Sequence, residues 1–206
     1  MAESVHQKTD YLNKLDAEAG DGDHGTNLER GFAEVNSRMV HFQDREDIGV
    51  ILEETGSILI SSVGGASGPL FGTAFKRAGK ASKGKSSIDL KDMTRMFEAA
   101  EQGIASLGDA RVGDKTMLDS LDPATEAARK AIENGEIHLL PAFESIVSSA
   151  EVGLENTKTL VAKKGRAMYL GERALGSYDV GAASFCIMLR SVLETLREID
   201  QKSGQT

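Results

Sequence analysis

Helical periodicity is the feature that most constrains the fold of this chain. Apolar residues recur at three- and four-residue spacing in seven stretches, of which the first runs from Leu28 to Met39 and the last from Phe185 to Ile199. A short N-terminal helix around Leu12 brings the count to about eight. Alternating runs of branched and aromatic residues, which are typical of strands, are scarce. The sequence therefore predicts an all-α fold.

Length and composition favour one domain that spans residues 1–206. Hydrophobic residues make up 40% of the chain and charged residues 27%, and no apolar run approaches the ~18 residues that a membrane span needs. The first residues, Met-Ala-Glu-Ser-Val-His, lack the basic and apolar regions of a secretory signal. We therefore expect a cytoplasmic protein that does not contact a membrane.

Charge and cysteine usage exclude further classes of function. The net charge of −8 opposes nucleic acid binding, because the phosphate backbone would be repelled. A small anionic ligand is compatible with this charge only if it is neutralised locally, and a metal ion is suited to that role. Cys186 is the only cysteine, so neither a disulfide framework nor a thiolate metal site is available. Its apolar neighbours predict a buried core residue.

The segment from Asp16 to Asn27, Asp-Ala-Glu-Ala-Gly-Asp-Gly-Asp-His-Gly-Thr-Asn, carries the strongest chemical signal. Asp16, Asp21 and Asp23 lie within eight residues, and their mutual repulsion favours a cation among them. Carboxylate oxygens select Mg²⁺ or Ca²⁺ over zinc, and the EF-hand spacing is absent, so Mg²⁺ fits better. An acidic, solvated loop is the alternative that composition leaves open.

A capping box is predicted directly after the aspartates. Thr26-Asn-Leu-Glu29 has the required pattern, in which Thr26 would begin a helix and Glu29 would bond back to it. The N-terminal amides of that helix would face the same place as the metal. This combination is suited to a phosphate group.

Two glycine motifs lack the context that their usual functions require. Gly20–Gly25 matches G-x-G-x-x-G and Gly79–Ser86 matches the P-loop pattern, but a predicted helix precedes each of them where a buried strand is needed. We therefore expect neither to be a nucleotide site of those types. The cationic residues from Lys76 to Lys85 are interpreted as a mobile basic loop, either solvated or docking an acidic partner or a phosphorylated donor.

Four motifs, all in one order along the chain, support a family resemblance: Gly-Asp-Gly-Asp-His-Gly, Gly-Gly-Ala-Ser-Gly-Pro-Leu-Phe-Gly, Gly-Asp-Lys-Thr-Met and Gly-Arg-Ala-x-Tyr-Leu-Gly-Glu-Arg. Together they resemble the ADP-binding L subunit of bacterial, phosphotransferase-system-dependent dihydroxyacetone kinases, which corresponds to the C-terminal nucleotide domain of the ATP-dependent enzymes. The resemblance implies a closed barrel of about eight antiparallel helices with the nucleotide at one end. Only 15 residues precede Asp16, so the first helix is expected to be short.

The same resemblance implies the roles of individual residues. Asp16, Asp21 and Asp23 would be the ligands of two magnesium ions that hold the phosphates of ADP or ATP. Contacts to the nucleotide would come from His24, Gly25, Thr26 and Asn27, from Ala66 and Ser67, from Gly108, Thr116 and Met117, and from Arg166, Asp179, Val180 and Gly181. Val180 stands where the family has a proline, and Asp179 is predicted to cap the following helix.

The function that the resemblance implies is that of a phosphotransferase subunit without an acid or base of its own. A K subunit would hold dihydroxyacetone on a histidine, and a phosphohistidine-carrying M subunit would rephosphorylate the bound ADP. Two alternatives stay open: an ATP-exchanging subunit of another short-ketose kinase, and a regulatory module whose nucleotide state a transcriptional regulator senses. The sequence leaves a homodimer open as well.

Overall fold

The computed structural model describes residues 1–42 and 46–203, and these ranges contain no strand. They form nine α-helices: α1 (Ala2–Gln7), α2 (Thr9–Ala17), α3 (His24–Arg38), α4 (Ile48–Ser62), α5 (Ser67–Ala81), α6 (Leu90–Gly108), α7 (Leu118–Glu133), α8 (Leu139–Thr157) and α9 (Val180–Ser203). Two 3₁₀ segments, Met39–Phe42 and Arg166–Ala174, complete the regular structure. The all-α prediction is therefore confirmed. No helix within the described ranges combines the length and apolarity needed to cross a membrane.

The helices form a closed ring. From α3 onward each helix packs on the next, and α9 packs back on α1 and α2. The helical conformation is interrupted at Lys8 (φ −109°), between α1 and α2. These two short helices together occupy one position in the ring, so the nine helices form an eight-membered barrel. Neighbouring helices run antiparallel, as the pairing of Glu151 with Arg190 and of Glu144 with Arg197 shows for α8 and α9. The predicted barrel is confirmed, and the short N-terminal stretch suffices to close it.

The core fills the ring in two clusters of buried side chains. One is built around Leu12, Leu28, Leu59, Leu118 and Leu121, each at most 2% exposed. The other joins α7, α8 and α9 through small and branched residues: Ala124, Ala142, Ile146, Ala150 and Cys186. Cys186 is thus the buried core residue that its neighbours predicted.

Glycines allow α4 and α5 to pack backbone to backbone. A Cβ on Gly56 would lie 2.4 Å from the carbonyl oxygen of Gly72, and a Cβ on Gly49 would lie 2.6 Å from that of Gly79. The reciprocal overlaps, from Gly72 onto Gly56 and from Gly79 onto Gly49, are both 2.6 Å. Real Cβ contacts are never this short, so both pairs require glycine on each helix.

The segment from Lys76 to Lys85 is not a mobile loop, and that prediction was wrong. Helix α5 continues to Ala81, and the turn after it is held by Asp47, whose carboxylate accepts from the Gly84 amide at 3.0 Å. Lys85 forms an ion pair with Asp92 at 2.9 Å. The P-loop-like motif therefore covers a helix C-terminus and a tight turn, which agrees with its rejection as a phosphate loop.

In a ring of antiparallel helices every second connection lies at the same end. The candidate site lies at one of these two ends. The connections that follow α2, α4, α6 and α8 meet at one end, and they span residues 18–23, 63–66, 109–117 and 158–179. The connection between α5 and α6, residues 82–89, lies at the opposite end.

Candidate functional site

A cavity of about 330 Å³ opens where these four connections meet. Fourteen of the sixteen predicted site residues line it: Asp16, Asp21, Asp23, His24, Asn27, Ala66, Ser67, Gly108, Thr116, Met117, Arg166, Asp179, Val180 and Gly181. Gly25 and Thr26 do not, because both face α2. A Cβ on Gly25 would lie 2.2 Å from the Thr9 carbonyl oxygen, and the Thr26 hydroxyl accepts from Asn13 at 2.8 Å.

The three aspartates converge at the mouth of the cavity. One carboxylate oxygen from each of Asp16, Asp21 and Asp23 lies within 4.8 Å of the other two. Asp16 is in the last turn of α2, and its Oδ2 accepts from the amides of Gly22 at 2.9 Å and Asp23 at 3.0 Å. These bonds fold the loop back so that the other two carboxylates reach the first. The resulting set of hard oxygen donors suits a divalent cation.

Two glycines allow the loop to take this shape. A Cβ on Gly20 would lie 2.4 Å from Oδ1 of Asp16, which would push the carboxylate out of place. Gly22 has φ +76°, a left-handed conformation that glycine adopts without strain. The glycines that looked like a dinucleotide motif in the sequence therefore serve to bring carboxylates together.

The predicted capping box is absent, and the physical reason is that other residues satisfy the start of α3. The helix begins at His24 with Asp23 at its N-cap position, three residues before the predicted cap at Thr26. The Thr26 amide donates to Oδ1 of Asn13 at 3.0 Å, while Glu29 bonds His6 and Thr9 of the N-terminal helices and does not reach back. Because the Thr26 amide already donates to Asn13, α3 has fewer free amide donors for an anion than the sequence suggested.

His24 is buried between two serines. Its Nε2 lies 3.1 Å from Oγ of Ser184, and its Nδ1 lies 3.0 Å from Oγ of Ser67. The Ser184 hydroxyl donates to the Gly181 carbonyl at 3.0 Å, so it accepts from Nε2–H, and Ser67 then donates to Nδ1. Burial lowers the pKa of His24 to about 4 against the opposing effect of Asp16 and Asp23. His24 is therefore neutral at pH 7, with both ring nitrogens in use.

The N-terminus of α5 supplies amide donors to the cavity. It is preceded by Gly64, Gly65 and Ala66, all of which line the cavity together with Ser67, the first residue of the helix. No side chain caps this end. Gly65 has φ +67°, and a Cβ placed on it would meet no atom within 4 Å, so the backbone is open at this point. An uncapped helix N-terminus with small residues is well suited to a phosphate or another anion.

The connection after α8 adds a cation and a fourth carboxylate. Arg166 forms an ion pair with Asp21, and this contact is the main reason that the pKa of Asp21 is lowered. Asp179 caps α9 as predicted, because its Oδ2 accepts from the Ala182 amide at 2.7 Å. Burial raises the pKa of Asp179 to about 7, although the Ala182 amide and Lys115 act in the opposite direction.

Lys115 is the cavity residue that sequence reasoning missed. It is only 2% exposed, and its Nζ donates to the carbonyls of Thr157, Ala174 and Ser177 at 2.6–2.9 Å. Its place within the Gly-Asp-Lys-Thr-Met motif was noted, but a lone lysine among loop residues usually indicates solvent exposure. Only the fold reveals that the main chain surrounds it.

Fold and site together define an all-helical barrel protein with an acidic cavity at one end, suited to an anion that is bridged by divalent cations. The chain belongs to the DAK2 domain family, which residues 18–194 match. It is 44% identical over 93% of its length to the PEP-dependent dihydroxyacetone kinase, ADP-binding subunit DhaL, of Escherichia coli (strain K12), and covers 90% of that protein. It is 37% identical over 96% of its length to the ADP-binding subunit DhaL of PEP-dependent dihydroxyacetone kinase 2 from Listeria innocua, and covers 91% of it.

A solved structure extends the comparison to the fold. The crystal structure of the dihydroxyacetone kinase from C. freundii in complex with AMP-PNP and Mg²⁺ superposes with a TM-score of 0.69 at 25% identity. The match covers 94% of this chain and 32% of that one, so the chain spans about a third of the larger enzyme.

Proposed function

We propose that this protein is the nucleotide-carrying subunit of a phosphoenolpyruvate-dependent dihydroxyacetone kinase. The single observation that carries the proposal is the convergence of three carboxylates and an uncapped helix N-terminus on one cavity. Carboxylates and phosphates repel each other unless cations lie between them, and this arrangement provides for both. Relatives that match over nine-tenths of their length and carry that name support it.

Each part of the cavity has a role in this proposal. Asp16, Asp21 and Asp23 would hold two Mg²⁺ ions, which when bound neutralise negative charge on phosphate oxygens. The amides at Ala66 and Ser67 would bind the phosphates, with His24 and Asn27 next to them. The base and ribose would lie against Gly108, Thr116, Met117, Val180 and Gly181.

The chain supplies positioning and charge neutralisation without a general base. His24 is neutral at pH 7, but its ring nitrogens are engaged by Ser67 and Ser184. Arg166 provides a positive charge beside Asp21. Phosphoryl transfer depends mostly on such groups, so activation of the acceptor would belong to a partner subunit that holds dihydroxyacetone. A second partner, carrying phosphohistidine, would renew the phosphoryl group, and we place the assembly in the cytoplasm.

The decisive experiment measures ADP retained by the purified, desalted protein with native mass spectrometry. We expect one ADP per chain in the presence of Mg²⁺. Asp16→Asn keeps an oxygen that can accept from Gly22 and Asp23 but removes the charge, and it should lose ADP. The matched control is Glu18→Gln, an exposed acid two residues away, which should keep ADP. ADP that stays bound to Asp16→Asn after Mg²⁺ is chelated would refute the carboxylate site.

The same experiment separates the alternatives. A protein that is isolated empty, but that turns over ATP with a dihydroxyacetone-binding subunit, would be an ATP-exchanging kinase subunit. A protein that retains ADP, yet is never phosphorylated when a phosphohistidine donor is added, would favour the regulatory module read by a transcriptional regulator. Sedimentation of the loaded protein would decide whether it is a monomer or a homodimer.

A further inference from the structure

Lys115 is held in a way that is unusual for lysine. Its backbone has φ +60°, a left-handed conformation that costs free energy in any residue with a side chain. The side chain is nevertheless buried, and all three ammonium protons are directed to main-chain carbonyls, at 2.9 Å for Thr157, 2.6 Å for Ala174 and 2.8 Å for Ser177. Hydrogen bonds from a charged donor are roughly twice as strong as neutral ones, so this contact fixes three points of the chain at once.

These three carbonyls lie at both ends of one segment. We call residues 158–179 the strap; Thr157 immediately precedes it, while Ala174 and Ser177 lie near its end. The same ends are also joined by the Gly176 amide, which donates to the Lys158 carbonyl at 2.8 Å. Lys115 thus joins both ends of the strap to the connection between α6 and α7.

The connection that carries Lys115 is itself rigid. Asp119, in the first turn of α7, accepts from the amides of Gly113 at 2.6 Å and Thr116 at 2.8 Å. Lys115 therefore projects from a fixed turn. The strap, by contrast, contains only a 3₁₀ segment, interrupted at Gly171 where φ is +57°. A segment of this kind has few bonds of its own and depends on external anchors to keep one conformation.

We propose that Lys115 is the positioning residue that fastens the strap over the cavity, so that Arg166 stays at Asp21 and the nucleotide is prevented from leaving. Its ammonium is taken up by three carbonyls, so it acts through the main chain that carries Arg166 and Asp179. The effect on nucleotide release rests on the proposed function, whereas the effect on the strap does not. The bonds of Lys115 hold the strap in the nucleotide-free protein too, so loss of Lys115 should free the strap and speed both dissociation and association.

The strap is tested first, on nucleotide-free protein, by hydrogen exchange read out by mass spectrometry. In Lys115→Met, amides of residues 166–179 should exchange about tenfold faster or more, as expected when bonds from a charged donor are removed. Amides of α4 and α5 in the same sample should keep their protection. Lys91→Met, which removes an exposed lysine of α6, should match the wild type throughout. If Lys115→Met does not fold, Lys115→Gln, which keeps a shorter donor, should show the same local pattern to a smaller degree.

Unchanged exchange in the strap would overturn the inference, and so would an equal loss of protection in α4 and α5, because that would mark Lys115 as a general structural residue.

Rates of binding and release of a fluorescent ADP analogue with Mg²⁺ then test the consequence for the nucleotide. Dissociation should be about tenfold faster in Lys115→Met, and association should be faster as well, because a strap fastened with and without nucleotide hinders exit and entry alike. An unchanged dissociation rate would overturn the fastening role. A wild-type protein that binds no nucleotide would refute the proposed function, and the exchange result would still decide the strap.

Discussion

Asp179 combines two properties that oppose each other. Its carboxylate caps α9 through the Ala182 amide, yet burial and the nearby Asp119 make the charged form unfavourable. The folded pKa is about 7, against 3.8 for an ordinary aspartate. Below pH 4 the Asp179 carboxyl is protonated in both the folded and the unfolded chain, so it does not lower the free energy of unfolding. As the pH rises to 7 the unfolded chain ionises first, so stability is lost over that window.

Asp179→Asn should therefore stabilise the nucleotide-free protein at pH 8. Asparagine keeps the oxygen that caps α9 and cannot ionise, so we expect a gain on the order of 1–3 kcal/mol at pH 8 that vanishes near pH 4. Urea unfolding of variant and wild type at both pH values measures it. Asp10→Asn, at an exposed aspartate of α2, is the control and should change stability by less than about 0.5 kcal/mol. A gain of the same size at both pH values would contradict the burial of this charge.

Single residues were predictable where their chemistry is local. Three aspartates separated by glycines repel one another wherever the loop lies, so Asp16, Asp21 and Asp23 could be selected from sequence, and they converge in the fold. Lys115 could not be selected, because its three acceptors belong to distant segments, at separations of 42, 59 and 62 residues. The capping box failed for a similar reason, since Asn13 of another helix competes for the Thr26 amide.

At the scale of elements, the pair α4 and α5 shows how glycine determines packing distance. Gly56 faces Gly72, and Gly49 faces Gly79, and in each pair the carbonyl oxygen of one glycine occupies the space that a Cβ on the other would need. Two helices that approach this closely exclude side chains from their contact and gain dispersion contacts along the backbone. The small residues that lowered the helical signal in the sequence are thus what holds the two helices together.

Gly56→Ala should destabilise the protein by about 1–3 kcal/mol because the new methyl group would overlap the Gly72 carbonyl. Alanine favours an isolated helix over glycine by ~1 kcal/mol, so only tertiary overlap can reverse the sign. Ser57→Ala, one residue along on the exposed side of α4, is the matched control and should be neutral or slightly stabilising. Urea unfolding with an unchanged m-value measures both. A stabilising Gly56→Ala would mean that the helices lie further apart.

Element type followed from the sequence, but element ends did not. The apolar spacing correctly predicted helices throughout, because burial of one face is required wherever a helix packs on a core. The segment from Lys76 to Lys85 was misjudged, because cationic residues on a solvent face are compatible with both a loop and a helix. Here the helix extends to Ala81 and the turn after it is held by contacts of Asp47 and Lys85, both of which lie outside the helix in sequence.

For the whole molecule, the barrel links ligand binding to global stability. The cavity is built from the ends of helices all around the ring, so a ligand there binds only the folded chain. At a ligand concentration about 100 times Kd the gain is ~2.7 kcal/mol, which for a chain of this size corresponds to roughly 5–10 °C in Tm.

Differential scanning fluorimetry should show that rise when ADP and Mg²⁺ are added together, and EDTA should remove it. Asp16→Asn should show no rise with either ligand. Calcium in place of magnesium serves as the comparison for ion preference, and a smaller shift is expected because phosphate-bound sites of this kind suit the smaller ion. A full shift with ADP alone in EDTA would contradict the coupling of nucleotide to metal.

The position of α9 has a consequence for synthesis. Asp16 is translated early and Asp179 to Gly181 late, and the ring closes only when α9 packs against α1 and α2. Long-range closure of this kind is the slow part of folding. A nascent chain on the ribosome should therefore be unable to capture its ligand until α9 has emerged, which makes ligand capture a report that the ring has closed correctly.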